Sequence, residues 1–545
     1  MKLMTAGELV ASAIECEGIN TVFGLIGSHT YGIYDALRQN DNIRHLSVRH
    51  ESTASLAADA FSKVSGHTSV CILTAGPGAL NSIAGVGQSY FSATPMVHIS
   101  GAPQRDAPLE TLHGADAADY TRQIFEPVTK RSLRPGNLEE LRNDMASAFR
   151  IARSGRHGPV HLEIPLDLME AEAAPVAEYI ADIVPVTICP TDVIATVYAG
   201  ILAAQRPLFC IDKGVVRCGE SQRLLKLAEI TGAAIAVTRD AIGAVPDNHH
   251  LYAGVVHDFN FGNAGFNAVE SADFIVCFGY RPGSENLKFI EDRLQGRIFN
   301  FSFEDAAGPF EDGYSADLEN IITTLEQVTA GQVERKIADW PQQRLSDQRQ
   351  HIINKLELYA EQSPIHFGWA LTLLFPYINS NTTVVLDAGS HEVWGRTILP
   401  VHGPASQIGS ANWATMGYTL AGMIGARMAS PDVPIVGISG DGCLLMSLSD
   451  LFTWLDIGGP SVLLVLNDSE YGMIAQSQDS RYGACYETSM PAVNFAEMTS
   501  VLGGTAYRVE TPSQLNDAID KAFAANRPVL IDVISQTRMD YPEWQ

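Results

Sequence analysis

Short apolar runs of strand length alternate with helical stretches along almost the whole chain, and that alternation leaves few folds open. Residues 20–27 (NTVFGLIG), 43–49, 68–75 (TSVCILTA) and 95–100 read as strands. Between them, 51–65 (ESTASLAADAFSKVS) and 79–91 read as helices. Strand, helix, strand in repetition buries itself best as a parallel sheet with crossover helices on its faces. GPVHLEIPLDL (158–168) closes this first segment, and an Ala/Glu/Pro-rich stretch, 169–190, reads as a linker. The opening MKLMTAGELVASAIECEG carries acidic residues inside its apolar pattern and reads as a first helix, not as a secretion signal.

The same grammar returns twice. PLFCIDKG (207–214), AAIAVT (233–238) and ADFIVCFG (272–279) are buried strands of a second segment, with ESQRLLKLAEITG (220–232) as a helix between the first two. Polar residues 331–362 form a second linker of helical character. TTVVLDAG (382–389), PIVGISG (434–440), SVLLVLN (461–467) and PVLIDVIS (528–535) are strands of a third. The expected fold is α/β, three doubly wound parallel-sheet modules at about 1–180, 190–330 and 363–545. At roughly 100–200 residues per domain, 545 residues suit three such modules.

Composition removes other classes. The chain is 46% hydrophobic and 18% charged, which is globular and not disordered. A net charge of −26 repels duplex nucleic acid and anionic membrane surfaces, so neither is an expected partner. No apolar run reaches the length of a membrane span. Eight Cys without a C-x-x-C pair suggest neither a zinc site nor a disulfide framework, and a reducing cytoplasmic setting is expected.

The chemistry concentrates in 434–476, PIVGISGDGCLLMSLSDLFTWLDIGGPSVLLVLNDSEYGMIAQ. An apolar strand ends at Ser439, and Gly440-Asp441-Gly442 turn the chain into a helix with Leu444, Leu445, Leu448, Leu451 and Leu455 on its apolar side. Gly458-Gly459-Pro460 stop that helix. A second strand then delivers Asn467 and Asp468, so Asp441 and Asn467, 26 positions apart, stand at the ends of neighbouring parallel strands. A hard carboxylate, a carbonyl ligand, two small residues and a helix N-terminus point to Mg²⁺ and a diphosphate. A plain tight turn would also give Gly-Asp-Gly, but the strand context and the asparagine at this spacing favour the metal.

Gly-Asp-Gly followed at this distance by Asn-Asp resembles the cofactor motif of thiamine-diphosphate (ThDP) enzymes, and NDSEYGMIAQSQ resembles the acetolactate synthase group. The resemblance implies that Asp441, Asn467 and the backbone carbonyl of Ser469 hold Mg²⁺, and that Gly440, Gly442, Cys443, Tyr471, Gly472, Met473 and Ile474 surround the cofactor. It implies a carboxylate bonded to the cofactor's pyrimidine, and Glu51 in VRHESTAS is the candidate. The neighbouring VFGLIG and TAGPGALN place Gly27, Pro77 and Asn81 at the same end. Met416 in ANWATMGYTLAG matches the apolar wedge that bends the cofactor, and DAGSHEVWGR puts Gly389, Ser390, His391 and Glu392 beside cofactor or substrate. In enzymes of this kind the site lies between subunits, so a homodimer, or a tetramer of dimers, is expected.

The pattern also departs from its relatives. Acetolactate synthases usually carry Phe-Gln-Glu before Pro-Val-x-Lys, whereas this chain has LHGADAADYTRQIFEPVTK (112–130). His113 stands where benzaldehyde lyases have glutamine, and His29 in GLIGSHT matches a histidine of that group. Two imidazoles beside a carbonyl could shuttle protons, and both are candidate catalytic residues. Ile474 occupies the place of a glutamate in pyruvate decarboxylases, and Ser477 that of a tryptophan in acetolactate synthases. FAD is not expected: Gly-Tyr-Arg at 279–281 keeps part of the flavin pattern and PGSENLKFIEDRLQG little of the rest. The resemblance thus implies a ThDP- and Mg²⁺-dependent enzyme acting on small carbonyl substrates, 2-oxo acids or 2-hydroxy ketones. Acetolactate-synthase-like carboligation comes first and benzaldehyde-lyase-like cleavage and ligation second. A non-catalytic nucleotide-binding paralogue would have no need of Glu51, and a nicotinamide dehydrogenase would want a G-x-G-x-x-G turn that GLIGSHTYG does not supply.

Overall fold

Among the described residues, three six-stranded sheets carry the chain, and every strand pair within them is parallel. The structure is a computed structural model and describes residues 2–108, 110–256, 264–281, 284, 290, 298–303, 313–331, 335 and 342–536. In the first sheet the strand order is Arg44–Ser47, Thr21–Leu25, Ser69–Leu73, Met96–Ala102, Pro159–Pro165, Arg131–Leu133. The second runs Tyr252–Val255, Ala234–Val237, Pro207–Ile211, Phe274–Phe278, Ile298–Ser302, Gly313–Ser315. The third runs Gln407–Gly409, Thr383–Leu386, Ile435–Gly440, Ser461–Asn467, Pro528–Ile534, Thr505–Val509. Inner strands such as Ser69–Leu73 and Ser461–Asn467 are buried throughout, as a sheet covered on both faces requires.

Where sequence and structure differ, the elements are short or bent. Lys2–Met4 is a strand paired antiparallel with Ala174–Val176, so the first helix starts only at Ala6 and the 169–190 linker contains a strand. Three residues are too few to show a period. The stretch 79–91 is two helices, Pro77–Leu80 and Ile83–Phe91, broken where Ser82 Oγ donates to the Ala79 carbonyl at 2.6 Å. The helix after Gly-Asp-Gly is likewise divided, into Asp441–Ser447 and Leu451–Ile457 with a 3₁₀ turn between, which leaves Leu445 38% exposed. The stretch 282–296 read for flavin contacts lies outside the described residues apart from 284 and 290.

Among the described residues the six-stranded sheets number three, but the compact units number two. One unit contains residues 1–185 together with Leu420–Pro431 and Ser447–Ile457. The other contains Val186–Thr419, Asp432–Met446 and residues 458–545, and so holds both the second and third sheets. No helix among the described residues is long and apolar enough to cross a membrane.

Strand order locates the places where ligands can enter. In the first sheet the chain leaves Thr21–Leu25 toward one edge and Ser69–Leu73 toward the other. In the third it does the same from Thr383–Leu386 and Ile435–Gly440. A crevice opens at the carboxyl ends of such strand pairs, because the connecting loops diverge. Beside the first crevice the helix Glu51–Ser65 lies tight against Ile83–Phe91: a Cβ on Gly85 would come within 2.7 Å of Ser55 Cβ and 2.9 Å of Leu56 N. Gly85→Val is therefore expected to force these helices apart and lower stability by about 1–3 kcal/mol, read as a lower urea midpoint.

Candidate active site

At the first crevice, strand Thr21–Leu25 delivers Gly27 and His29, and strand Ser69–Leu73 delivers Thr74 through Pro77. The two loops touch, since a Cβ on Gly27 would lie 2.7 Å from Thr74 Cγ2. Glu51 is the first residue of helix Glu51–Ser65, where the helix dipole favours a carboxylate. Asn81 Nδ2 donates to Glu51 Oε2 at 3.0 Å, which fixes the carboxylate's direction. Pro77 opens the short helix Pro77–Leu80, a position where its missing N–H is not needed.

The two histidines meet here. Their rings stand edge to face with centroids 5.0 Å apart. His29 is buried, and burial followed by the nearby His113 holds its pKa below the usual imidazole value, so it is neutral at neutral pH. His113 has a positive φ of 62°, and its carbonyl accepts a hydrogen bond from the Tyr120 hydroxyl at 2.8 Å. Gly76, at φ 58°, lets the loop approach: a Cβ there would stand 2.8 Å from His113 Cβ. Glu51, Asn81, Gly27, Pro77, His29 and His113 thus share one end of one sheet.

The second crevice holds a cavity of about 220 Å³. Gly389, Ser390 and His391 form one wall, at the start of helix Ser390–Ile398; Met416 forms another. Gly440, Asp441, Gly442 and Cys443 follow the central strand, and Tyr471, Gly472, Met473 and Ile474 close the rim. Glu392, the next residue of the first wall, instead turns into ion pairs with Arg239 and with Arg396, the latter at 2.7 Å. Asp387 was missed in the sequence. It is fully buried at the end of strand Thr383–Leu386 and accepts the N–H groups of Gly417 at 2.9 Å and Thr419 at 2.8 Å. That carboxylate anchors the turn that carries Met416.

Of the three expected metal ligands, Asp441 lines the cavity, while Asn467 and Ser469 do not. Asn467 is the last residue of strand Ser461–Asn467, and side chains on a strand alternate between faces. Leu466 faces the cavity, whereas Asn467 Nδ2 donates to Asp532 Oδ1 at 2.8 Å and to the Val493 carbonyl at 2.9 Å. Ser469, at φ 57°, sends its N–H to Asp441 Oδ2 at 2.6 Å, and its carbonyl accepts from Met490 N–H at 2.8 Å. Asp468 and Glu470, one residue further along in each case, line the cavity instead. Burial, then the charge of Asp441, pushes the Asp468 carboxyl up to about 8; burial also raises Asp441. The period-two alternation of the strand was the available signal for this shift.

The residues fit a divalent cation and a diphosphate. Two half-buried or buried carboxylates crowd one spot, and a cation between them removes their mutual repulsion. A Cβ on Gly442 would lie 2.7 Å from the Tyr471 ring and one on Gly440 3.1 Å from the His391 ring, so only bare backbone leaves the cradle open. His391 Nε2 is buried without a hydrogen-bond partner, and burial lowers its pKa to about 4, which leaves a neutral ring free to serve an anion as N–H donor.

Residues 4–119 match the N-terminal TPP binding domain of thiamine pyrophosphate enzymes, 194–295 their central domain and 387–533 their C-terminal TPP binding domain. A probable acetolactate synthase large subunit of Methanococcus aeolicus is 28% identical, covering 97% of this chain and 92% of the relative. The acetolactate synthase isozyme 3 large subunit of Escherichia coli is 27% identical, over 98% of this chain and 95% of its own. An acetolactate synthase of Mycobacterium bovis is 27% identical, over 98% and 88%. With all three domain models matched in order and acetolactate synthases similar over nearly the whole chain, the chain belongs to the thiamine-diphosphate-dependent enzymes, in their acetolactate-synthase-like group of carboligases.

Proposed function

We propose that this enzyme makes and breaks the carbon–carbon bond beside a carbonyl of 2-oxo acids or 2-hydroxy ketones, with Mg²⁺ as the cofactor's counter-ion. The observation that carries the reading is the pair of half-sites at the two switch points, Glu51–Asn81 at one and Asp441–Asp468 at the other. Thiamine diphosphate, when bound, supplies a nucleophilic carbon that adds to a substrate carbonyl and takes up the charge left when the adjacent bond breaks.

Asp441, Asp468 and the backbone carbonyl of Glu470 hold the cation, all oxygen ligands of the kind Mg²⁺ prefers. His391 and the N-terminus of helix Ser390–Ile398 receive diphosphate oxygens. Glu51, oriented by Asn81, accepts a hydrogen bond from the pyrimidine ring and raises the basicity of its amino group. Met416, Leu466, Met473 and Phe367 give the cavity apolar walls, which strengthens those polar contacts by excluding water. His29 and His113 move a proton to or from the substrate oxygen. Acetolactate-synthase-like carboligation is the first reading. The paired imidazoles favour a second, benzaldehyde-lyase-like handling of 2-hydroxy ketones. The chain with ThDP and Mg²⁺, given pyruvate, aldehydes and 2-hydroxy ketones and read by mass spectrometry, decides between them: a 2-hydroxy-2-methyl-3-oxo acid from pyruvate alone supports the first, and aldehyde release from a hydroxy ketone the second.

Glu51→Gln keeps the side chain's shape and removes its charge. Cofactor-saturated turnover is expected to fall at least about a hundredfold, with little change in ThDP affinity by fluorescence quenching. Near-normal turnover would return Glu51 to a helix-start carboxylate.

Asp468→Ala is expected to weaken Mg²⁺ binding in calorimetry with ThDP present. Asn467→Ala instead costs about 1–3 kcal/mol of stability, since it strips the Asp532 and Val493 contacts. The reverse pattern restores Asn467 as the ligand.

The same reading includes a two-fold dimer in which one copy supplies the Glu51 half-site and its partner the Asp441 half-site. Glu51→Gln and Asp441→Ala chains, each inactive alone, are then expected to recover roughly a quarter of wild-type activity when co-refolded, because half the dimers are mixed and one of their two sites is intact. A dead mixture with proven subunit exchange shows a site built within one chain.

A further inference from the structure

Asp450 is fully buried, and neither crevice uses its side chain. Its two oxygens accept the backbone N–H groups of the two residues before Glu51: Arg49 N–H to Oδ1 at 2.7 Å and His50 N–H to Oδ2 at 3.1 Å. Thr453 Oγ1 donates to Oδ1 at 2.8 Å. His50 is the N-cap of helix Glu51–Ser65, and its ring nitrogen accepts from Ser52 N–H at 3.2 Å. The Arg49 guanidinium lies over the Phe452 ring, 5.7 Å from its centroid.

We propose that Asp450 is a positioning residue for Glu51. A buried carboxylate is costly unless hydrogen bonds replace its lost water, and charge-assisted bonds to N–H groups are short and strong. Here those bonds fall on two successive peptide groups, so they fix the plane and direction of the chain as it enters the helix. Glu51 is the next residue, and the exit angle of its side chain follows from that entry. Asn81 steadies the carboxylate end of Glu51 at 3.0 Å, while Asp450 steadies the backbone end. Glu51 therefore reaches its ligand from a frame held at both ends, although its own helix start is half exposed. A displacement near 1 Å in such a group costs up to about a hundredfold in rate.

This rests on the reading of Glu51 as the activating carboxylate, and the test separates the two. Full-length Asp450→Asn, Asp450→Ala, Glu51→Gln and Asp59→Asn chains are compared. Asp59 pairs with Lys63 at 2.6 Å on the same helix, away from its start, and serves as a stability control. Amide hydrogen exchange of the cofactor-free protein is followed by mass spectrometry over residues 46–56, with Tm, ThDP affinity and kcat. The Asp450 variants are expected to exchange at least about tenfold faster at Arg49 and His50 and to lose at least about tenfold in kcat, with ThDP affinity changed less than about threefold. Asp59→Asn is expected to lower Tm while leaving exchange at 49–50 and kcat near wild type. Unchanged exchange in Asp450→Asn overturns the clamp. Faster exchange with intact kcat, or an equal kcat loss in Asp59→Asn, overturns the positioning role. Full activity in Glu51→Gln overturns the reading of Glu51 instead, and the exchange measurement alone then decides whether Asp450 holds the helix start.

Discussion

Buried carboxylates that accept backbone N–H groups hold the working parts of this protein in place. Asp387 gathers the turn behind Met416, Asp441 takes the N–H of Ser469, and Asp450 takes those of Arg49 and His50. The N–H groups each one binds lie where the chain leaves or enters a regular element, and there no ladder satisfies them. A carboxylate with two oxygens can meet several donors at once, so one side chain orders a whole turn. Burial strengthens these bonds, because little water competes for them.

The parallel sheets decide where such loops come together. Every strand of a parallel sheet ends on the same side, and a change in the direction of winding separates two neighbouring loops. In the first sheet that separation brings His29, Thr74 and Glu51 to one end; in the third it opens the cavity beside Asp441. The second sheet has the same winding around Pro207–Ile211 and Phe274–Phe278, but there Gly214 and Gly279 back onto each other, with a Cβ on Gly279 3.2 Å from Gly214 Cα. The same architecture thus offers open crevices where loops are small and polar and a packed seam where backbones meet.

Charge follows the same logic. His29 and His391 are kept neutral by burial, while Asp468 is held protonated-prone beside Asp441. Neutral imidazoles can give and take protons, and crowded carboxylates call for a cation. The net charge of −26 contributes nothing local to either; it acts only at long range, on which partners approach.

The alternation of strand and helix was legible without coordinates, because period and length are local properties of the chain. So were Gly-Asp-Gly, the Asn-Asp pair, Glu51 at a helix start and the glycine-rich turns at 27 and 76–78, all of which stand at strand ends. Which of Asn467 and Asp468 lines the cavity was not, since it depends on which face of strand Ser461–Asn467 meets the cavity and which meets Asp532. Nor was the carbonyl of Ser469, whose partner Met490 arrives from a distant loop. Asp387 and Asp450 looked like ordinary acidic residues in sequence. Only the folded chain brings them the N–H groups they bind, because those bonds join residues 30 positions apart in one case and 400 in the other.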